Sequence, residues 1–133
     1  MSILEQHNLQ PENVFRYFEE LASIPHGSRN TKAISDYLVN FAKEHHLEHY
    51  QDDDNNVIII KEASKGYENA DAIIIQGHMD MVCEKEPDCS IDFEKDPLTI
   101  KIRGDEITAE GTSMGGDDGI AIDYALVIID KDY

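Results

Sequence analysis

Two compact runs of β-branched residues constrain the fold more than any other feature of this sequence. Val57–Ile60 follows a polar turn and a short extended stretch, Glu48–Gln51, and the two together predict a hairpin. The run at 72–75 (Ala-Ile-Ile-Ile) is apolar on both faces. This pattern predicts a strand at the centre of a sheet that is covered on both sides.

Amphipathic segments lie on either side of these runs. Apolar residues recur at helical spacing over 14–22, after Pro11, and again over 34–41. A further hairpin is predicted over 98–109, and a last helix begins near Asp118. Strands mixed with flanking helices predict an α/β fold with a mixed central sheet.

Composition narrows the classes of function. The chain of 133 residues carries a net charge of -17, and this excess of acid disfavours nucleic acid and anionic membrane surfaces as partners. The start has no basic region followed by an apolar run, and no stretch reaches the roughly 20 apolar residues of a membrane helix. Because such a chain is expected in the cytoplasm, its two cysteines are predicted to be reduced thiols.

A histidine and an aspartate follow directly on the predicted strand at 72–75. His78 and Asp80 are two residues apart, so their side chains point the same way along an extended chain. An imidazole can bind a metal while a nearby carboxylate supports it, and Gly77 lets the backbone approach such a site. A purely structural pair at a strand end is the alternative, and for this short pattern alone it is favoured.

Two adjacent acids lie in a glycine-rich segment, 111–121, just before the last predicted helix. One of Asp117 and Asp118 can cap the helix amino terminus, which leaves the other free to face a cation. A carboxylate can span two metal ions, as two-metal hydrolases require. Helix capping without any metal is the alternative. The segment is no phosphate loop, because no lysine follows it.

Together, several segments resemble one family of enzymes. These are SIPHGS at 23–28, the stretch 52–59, QGHMDMV at 76–82, DFEKDPL at 92–98 and GTSMGGDDGIA at 111–121. They are similar to motifs of the zinc-dependent aminoacyl-histidine dipeptidases, which are bacterial cytosolic two-zinc exopeptidases. The resemblance covers nearly the whole chain. It implies that residues 1–133 form the amino-terminal part of a zinc-exopeptidase catalytic domain.

The resemblance also implies roles for individual residues. His78 would bind one zinc ion, Asp117 would bridge both zinc ions, and Asp80 would belong to the catalytic machinery by orienting His78 and tuning its basicity. A cis peptide bond is expected between Asp117 and Asp118. The substrate would be a dipeptide, in particular one ending in histidine, and manganese or cobalt could replace zinc.

The family's remaining parts would lie beyond residue 133. These are its general-base glutamate, its other metal ligands and a lid domain through which the full-length parent would form a homodimer. We therefore expect this chain alone to be inactive. The alternatives are another two-zinc exopeptidase, such as a tripeptidase or an acylamino-acid hydrolase, and a non-catalytic acidic binding module.

The sequence differs from the family's motifs at three positions. Gly27 replaces a second proline, Asn55 replaces a glycine before the β-branched run, and Asp118 stands where some relatives have asparagine. None of these is expected to remove a ligand, provided that the side chain of Asp118 points away from the metals. His26, in the first motif, is expected to be a surface or capping residue.

Overall fold

The structure, a computed structural model, describes residues 2–131. It contains four helices and four strands within that range: α1 (Ile3–His7), α2 (Glu12–Ala22), α3 (Lys32–Glu44), β1 (Glu48–Gln51), β2 (Val57–Ile60), β3 (Ile100–Arg103), β4 (Glu106–Ala109) and α4 (Gly116–Asp130). β1 pairs with β2 and β3 with β4, each as a separate antiparallel hairpin. Helices with small sheets make this a partial α/β domain, which is the predicted fold class.

The core lies where α2, α3 and α4 meet. Tyr17, Leu38, Phe41 and Leu126 are buried together there. The rings of Tyr17 and Phe41 pack edge to face, with centroids 5.8 Å apart. The β1–β2 hairpin closes one side of this core, since Val57 and Ile59 point inward and their neighbours point outward. The helical periodicity of α2 and α3 therefore predicts the side of each helix that is buried.

The residues at the ends of the elements differ in how they stabilise those ends. Pro11 and Thr31 stand at the N-cap positions of α2 and α3, and neither makes a side-chain capping hydrogen bond. Asn55 takes a left-handed conformation (φ 68°) in the β1–β2 turn, which asparagine tolerates. Helix α1 was not predicted from the sequence, although Ser2 and Glu5 form a capping box there, with the spacing that marks a helix start.

The prediction of a strand at 72–75 is wrong. Within the described residues this stretch pairs with no other strand, and Ile73 and Ile74 are 87% and 90% exposed. A β-branched run favours extended backbone, but a strand also needs a hydrogen-bonded neighbour on at least one side. Residues 2–131 supply none, so the two hairpins stay apart and no single central sheet joins them.

The second hairpin begins later than predicted. Leu98 donates its backbone N–H to the carbonyl of Ala22 at 3.0 Å, so it is tied to the end of α2 and not to the ladder. Pairing starts at Ile100, opposite Ala109.

In the described range, none of the helices combines the length and the apolar character that crossing a bilayer requires.

Candidate active site

Three loop segments meet at the amino-terminal end of α4, and in chain order they are residues 26–28, 78–84 and 111–113. Backbone hydrogen bonds join the first to the second, with Met81 N–H donating to His26 O at 2.9 Å and Ser28 N–H donating to Met81 O at 3.1 Å. Another joins the second to the third, with Ser113 N–H donating to Glu84 O at 2.8 Å. The stretch that carries the sequence-predicted histidine is thus held on both sides.

His78 contacts both of the other predicted site residues. Its Nε2 lies 3.1 Å from Oδ1 of Asp117. Its Nδ1 lies 3.0 Å from the carbonyl oxygen of Asp80 and 3.2 Å from Oδ1 of the same residue. The structure therefore brings together the three residues that the sequence analysis selected, across 39 positions of the chain.

The charges around His78 favour its protonated form. The carbonyl of Asp80 raises the pKa of the His78 imidazole most, burial opposes this shift, and the carboxylate of Asp117 raises the pKa further. The pKa of Asp80 is lowered, first by a hydrogen bond from the hydroxyl of Ser28 and then by the charge of His78. Ser28 Oγ lies 2.5 Å from Oδ2 of Asp80. The site is thus a chain of polar contacts from Ser28 to Asp117.

The side chains of the adjacent residues Asp117 and Asp118 have different partners. The peptide bond between Asp117 and Asp118 is cis, as the resemblance implied. The side chain of Asp117 is 95% exposed beside the imidazole, whereas Oδ2 of Asp118 accepts the backbone N–H of His78 at 3.2 Å. The carboxylate of Asp118 therefore positions the backbone of His78, whereas that of Asp117 faces the imidazole.

The prediction that one of these acids caps the helix is wrong. Gly115 is the N-cap residue of α4, in a left-handed conformation (φ 77°), and it makes no side-chain capping bond. Asp117 and Asp118 have non-helical backbone angles, so the regular helix begins after them. The carboxylates are engaged by His78 instead, and only the tertiary structure brings that residue to them.

At two positions glycine is needed because a β-carbon would come too close to another part of the chain. A β-carbon on Gly77 would lie 2.9 Å from Oδ2 of Asp118 and would press on the carboxylate that holds His78. A β-carbon on Gly27 would lie 2.5 Å from Sγ of Cys83. Gly27, which replaces the family's proline, is therefore in tight contact with the segment behind the site.

His26 is not the surface or capping residue that was expected. It is buried, and its Nδ1 lies 2.6 Å from the carbonyl oxygen of Ile24. A β-carbon on Gly115 would approach its Nε2 to 3.2 Å. His26 thus fills the space beneath the three loops, and its flanking residues gave no periodic signal of that burial.

Other histidine and cysteine side chains lie away from this site. His45 bonds to Asp130 through Nε2 at 2.7 Å and stacks on Phe41, so it has a structural role at the end of α3. Cys83 and Cys89 are free thiols, as predicted. Over residues 2–131, no three or more histidine, cysteine, aspartate or glutamate side chains cluster as a ready metal cage.

A comparison with models of protein families matches none of them. Among curated proteins, the chain is 37% identical over 129 residues to the cytosol non-specific dipeptidase of Escherichia coli (strain K12), and this covers 97% of the chain. The crystal structure of the aminoacylhistidine dipeptidase from Vibrio alginolyticus superposes with a TM-score of 0.91 at 34% identity, over 98% of the chain. The chain is a homologue of these dipeptidases.

The homology extends over a limited part of the relatives. The chain covers 26% of the Escherichia coli dipeptidase and 27% of the Vibrio alginolyticus dipeptidase chain. It therefore spans about a quarter of the length of the dipeptidases it matches. The high TM-score means that the backbone of this chain, taken as a whole, has the fold of the matching part of that dipeptidase.

Proposed function

We propose that this chain supplies part of the metal site of a dipeptidase, with His78 and Asp117 as ligands and Asp80 in support. Homology to dipeptidases supports the reaction class, which is hydrolysis of a peptide bond. The observation that carries the proposal is the approach of His78 Nε2 to Asp117 Oδ1.

The distance between these two atoms suits a shared metal ion. Zinc ligands of this type lie about 2.0–2.2 Å from the ion in tetrahedral geometry, so two of them are about 3.3 Å apart. Nε2 of His78 and Oδ1 of Asp117 are 3.1 Å apart. A small increase in the distance between these two atoms would let both bind one ion. This ion could be zinc, manganese or cobalt.

Hydrogen bonding selects the nitrogen that could bind. A carbonyl oxygen only accepts, so the contact with Asp80 O places a hydrogen on Nδ1 of His78. Loss of the other ring proton then leaves the lone pair on Nε2, which faces Asp117. Asp80 supports that tautomer and orientation through its carbonyl and its carboxylate.

The exposure of Asp117 is consistent with a bridging role. Its carboxylate is 95% exposed, and Oδ1 faces His78. We propose that this carboxylate serves two ions in the complete enzyme. Bound metal would supply an activated water and polarise the scissile carbonyl. The residues of this chain would hold and orient that metal, and the general base would come from elsewhere in the protein.

Further properties of the complete enzyme follow as proposals from the relatives. The substrate is a dipeptide, and the Vibrio alginolyticus name favours one that contains histidine. The word cytosol in the Escherichia coli name supports a cytoplasmic location. We also propose that the chain corresponds to the amino-terminal part of the catalytic domain and that the complete enzyme is a homodimer.

We propose that the 133-residue chain by itself hydrolyses no dipeptide. Within residues 2–131, His78 and Asp117 are brought together without a third candidate ligand. A zinc site normally takes about three or four protein ligands, so an ion held by two would not be fixed for catalysis. A peptidase rate in the purified chain that survives removal of contaminating proteases would refute this expectation.

Zinc binding tests the proposal directly. The chain is titrated with Zn²⁺ by isothermal calorimetry as wild type, as His78→Ala and as His7→Ala, which removes an exposed histidine on α1. We expect His78→Ala to weaken binding by at least about tenfold, because it removes one of two proposed ligands. His7→Ala should leave the affinity unchanged. Equal affinities in all three proteins, or no binding at all, would contradict the proposed metal site.

A further inference from the structure

The carboxylate of Asp80 is held between two partners. Ser28 Oγ donates to Oδ2 at 2.5 Å, and Oδ1 lies 3.2 Å from Nδ1 of His78. Each carboxylate oxygen therefore has its own neighbour on opposite sides of the group. Ser28 belongs to a loop that is 50 residues earlier in the chain than the histidine, and neither motif by itself indicates the contact.

We propose that Ser28 is a positioning residue for the metal site, because its hydroxyl fixes the carboxylate of Asp80 and so orients the imidazole of His78. The inference rests on the proposed function, in which His78 is a metal ligand. Ser28 itself contacts neither Asp117 nor any proposed ligand atom in the hydrogen bonds of the described residues, and it acts through Asp80.

The backbone around Ser28 is suited to this role. Ser28 N–H donates to Met81 O at 3.1 Å, and Gly27 and Met81 form a parallel β-bridge. Asn30 N–H donates to Gly27 O at 2.8 Å, which closes a turn around the serine. The hydroxyl is therefore presented from a backbone that is tied to the same stretch of chain as Asp80.

Removal of the hydroxyl would free the carboxylate. The side chain of Asp80 is 37% exposed, so without Ser28 it could rotate into solvent. The imidazole of His78 would then keep the carbonyl of Asp80 as its Nδ1 partner, at 3.0 Å, but would lose the second, carboxylate contact. Loss of such an outer contact typically weakens metal binding about 10- to 100-fold.

The first test is a double-mutant cycle on Zn²⁺ affinity. Ser28→Ala should weaken binding about tenfold, and Ser28→Thr, which keeps a hydroxyl, should restore it to within about twofold of wild type. In an Asp80→Ala background, Ser28→Ala should have no further effect, because its target is gone. Ser23→Ala, which removes the exposed hydroxyl that caps α2, is the matched control and should change nothing.

An equal loss from Ser28→Ala in both backgrounds would overturn the proposal, since Ser28 would then act by another route. An unchanged affinity in Ser28→Ala would overturn it as well. Thermal unfolding of each variant identifies any that fail to fold. If Ser28→Ala fails to fold, Ser28→Cys, which replaces the hydroxyl with a much weaker donor of similar size, takes its place in the cycle and should weaken binding in the same direction.

The second test needs no metal. Side-chain three-bond couplings measured by NMR report the χ1 rotamer of Asp80 in the metal-free chain. We expect one rotamer in wild type and in Ser28→Thr, and averaging over several in Ser28→Ala. A single fixed rotamer in Ser28→Ala would overturn the positioning role. If wild type bound no Zn²⁺, the proposed metal site would fail, and this measurement alone would decide whether Ser28 positions Asp80.

Discussion

Two isoleucine-rich runs, in two regions of the molecule, differ in how far they are buried. In the first region, formed by α2, α3, α4 and the β1–β2 hairpin, Ile59 packs on the core. In the second, the loops of residues 61–99, Ile73 and Ile74 are almost fully exposed. The two runs have similar composition and differ in whether a partner lies beside them. Hydrophobicity makes burial favourable, but the available neighbours decide whether it happens.

The candidate site spans the boundary between these regions. Asp117 lies at the start of α4, which packs in the first region, whereas His78 and Asp80 belong to the loops. The loop residues are held by a few hydrogen bonds to the 26–28 and 111–113 segments and not by a packed interior. We therefore expect substitutions in the core to act on folding, and substitutions in the loops to act mainly on the geometry of the site.

The largest difference is expected between two truncations, Leu126→Ala and Ile74→Ala. Leu126 is 2% exposed in the core, so its truncation should lower the free energy of unfolding by about 2–5 kcal/mol. Ile74 is 90% exposed, and its truncation should change that free energy by less than about 0.5 kcal/mol. Urea unfolding measures both values. Similar losses from the two substitutions would contradict the contrast between the regions.

A buried carboxyl group should make the stability of the core depend on pH. Asp123 on α4 is fully buried, and neither of its oxygens has a hydrogen-bond partner among the described residues. Burial and then the charge of Glu20 on α2 raise the pKa of Asp123 to about 8, from an ordinary value of 3.8. Tyr37 on α3 also faces this pair, and its hydroxyl donates to Glu20. Asp123 is therefore protonated in the folded chain near neutral pH.

The sign of the pH effect follows from the proton count. Between about pH 4 and pH 8 the folded state holds a proton on Asp123 that the unfolded state has released, so stability falls as pH rises. The slope is about 1.4 kcal/mol per pH unit, or about 3 kcal/mol from pH 5 to pH 7. This contribution is largest below the unfolded pKa and is lost as pH rises through the folded pKa.

Asp123→Asn tests this expectation, because it keeps the shape of the side chain and cannot ionise. Urea unfolding of wild type and variant at several pH values should show that the variant lacks the extra downward slope. Asp105→Asn, in the exposed β3–β4 turn, is the control and should run parallel to wild type. Parallel curves for Asp123→Asn and wild type would show that Asp123 is ionised in the folded chain.

The smallest of these effects concerns the contact behind the site. Gly27→Ala would place a methyl group 2.5 Å from Sγ of Cys83, and overpacking of this kind typically costs about 1–3 kcal/mol. Cys83→Ala removes the sulfur, so the double variant should recover most of that loss. Thermal or urea unfolding of the two single variants and the double variant gives the coupling. Strictly additive effects would mean that the loop shifts away from Cys83 without resistance.

Local patterns were sufficient for most of the elements, whereas the choice of site residues also needed the resemblance to a family. The spacing of apolar residues predicted α2 and α3, and the turn residues predicted both hairpins. The H-x-D and glycine–aspartate motifs made His78, Asp80 and the adjacent acids candidates, and the family resemblance selected Asp117 as the bridging ligand. The fold brings His78, Asp80 and Asp117 within hydrogen-bonding distance. The cis peptide bond after Asp117 was expected from the family resemblance and not from any local pattern.

The predictions that were wrong concern contacts between distant segments. Residues 72–75 have the composition of a strand but lack a partner in the described chain, and Asp117 and Asp118 have the position of helix caps but bond to His78. The burial of His26 and the contact of Ser28 with Asp80 had no local signal. Each outcome depends on which groups compete for the same hydrogen bonds after the chain has folded.

The sequence by itself determined where helices and hairpins form, because their periodicity, caps and turns act over a few neighbouring residues. It also determined which side chains are chemically able to hold a metal. Tertiary structure alone decided that Ser28, Asp80, His78 and Asp117 form one continuous set of contacts. The reason is that a hydrogen bond between residues far apart in sequence depends on the packing of the elements that carry them.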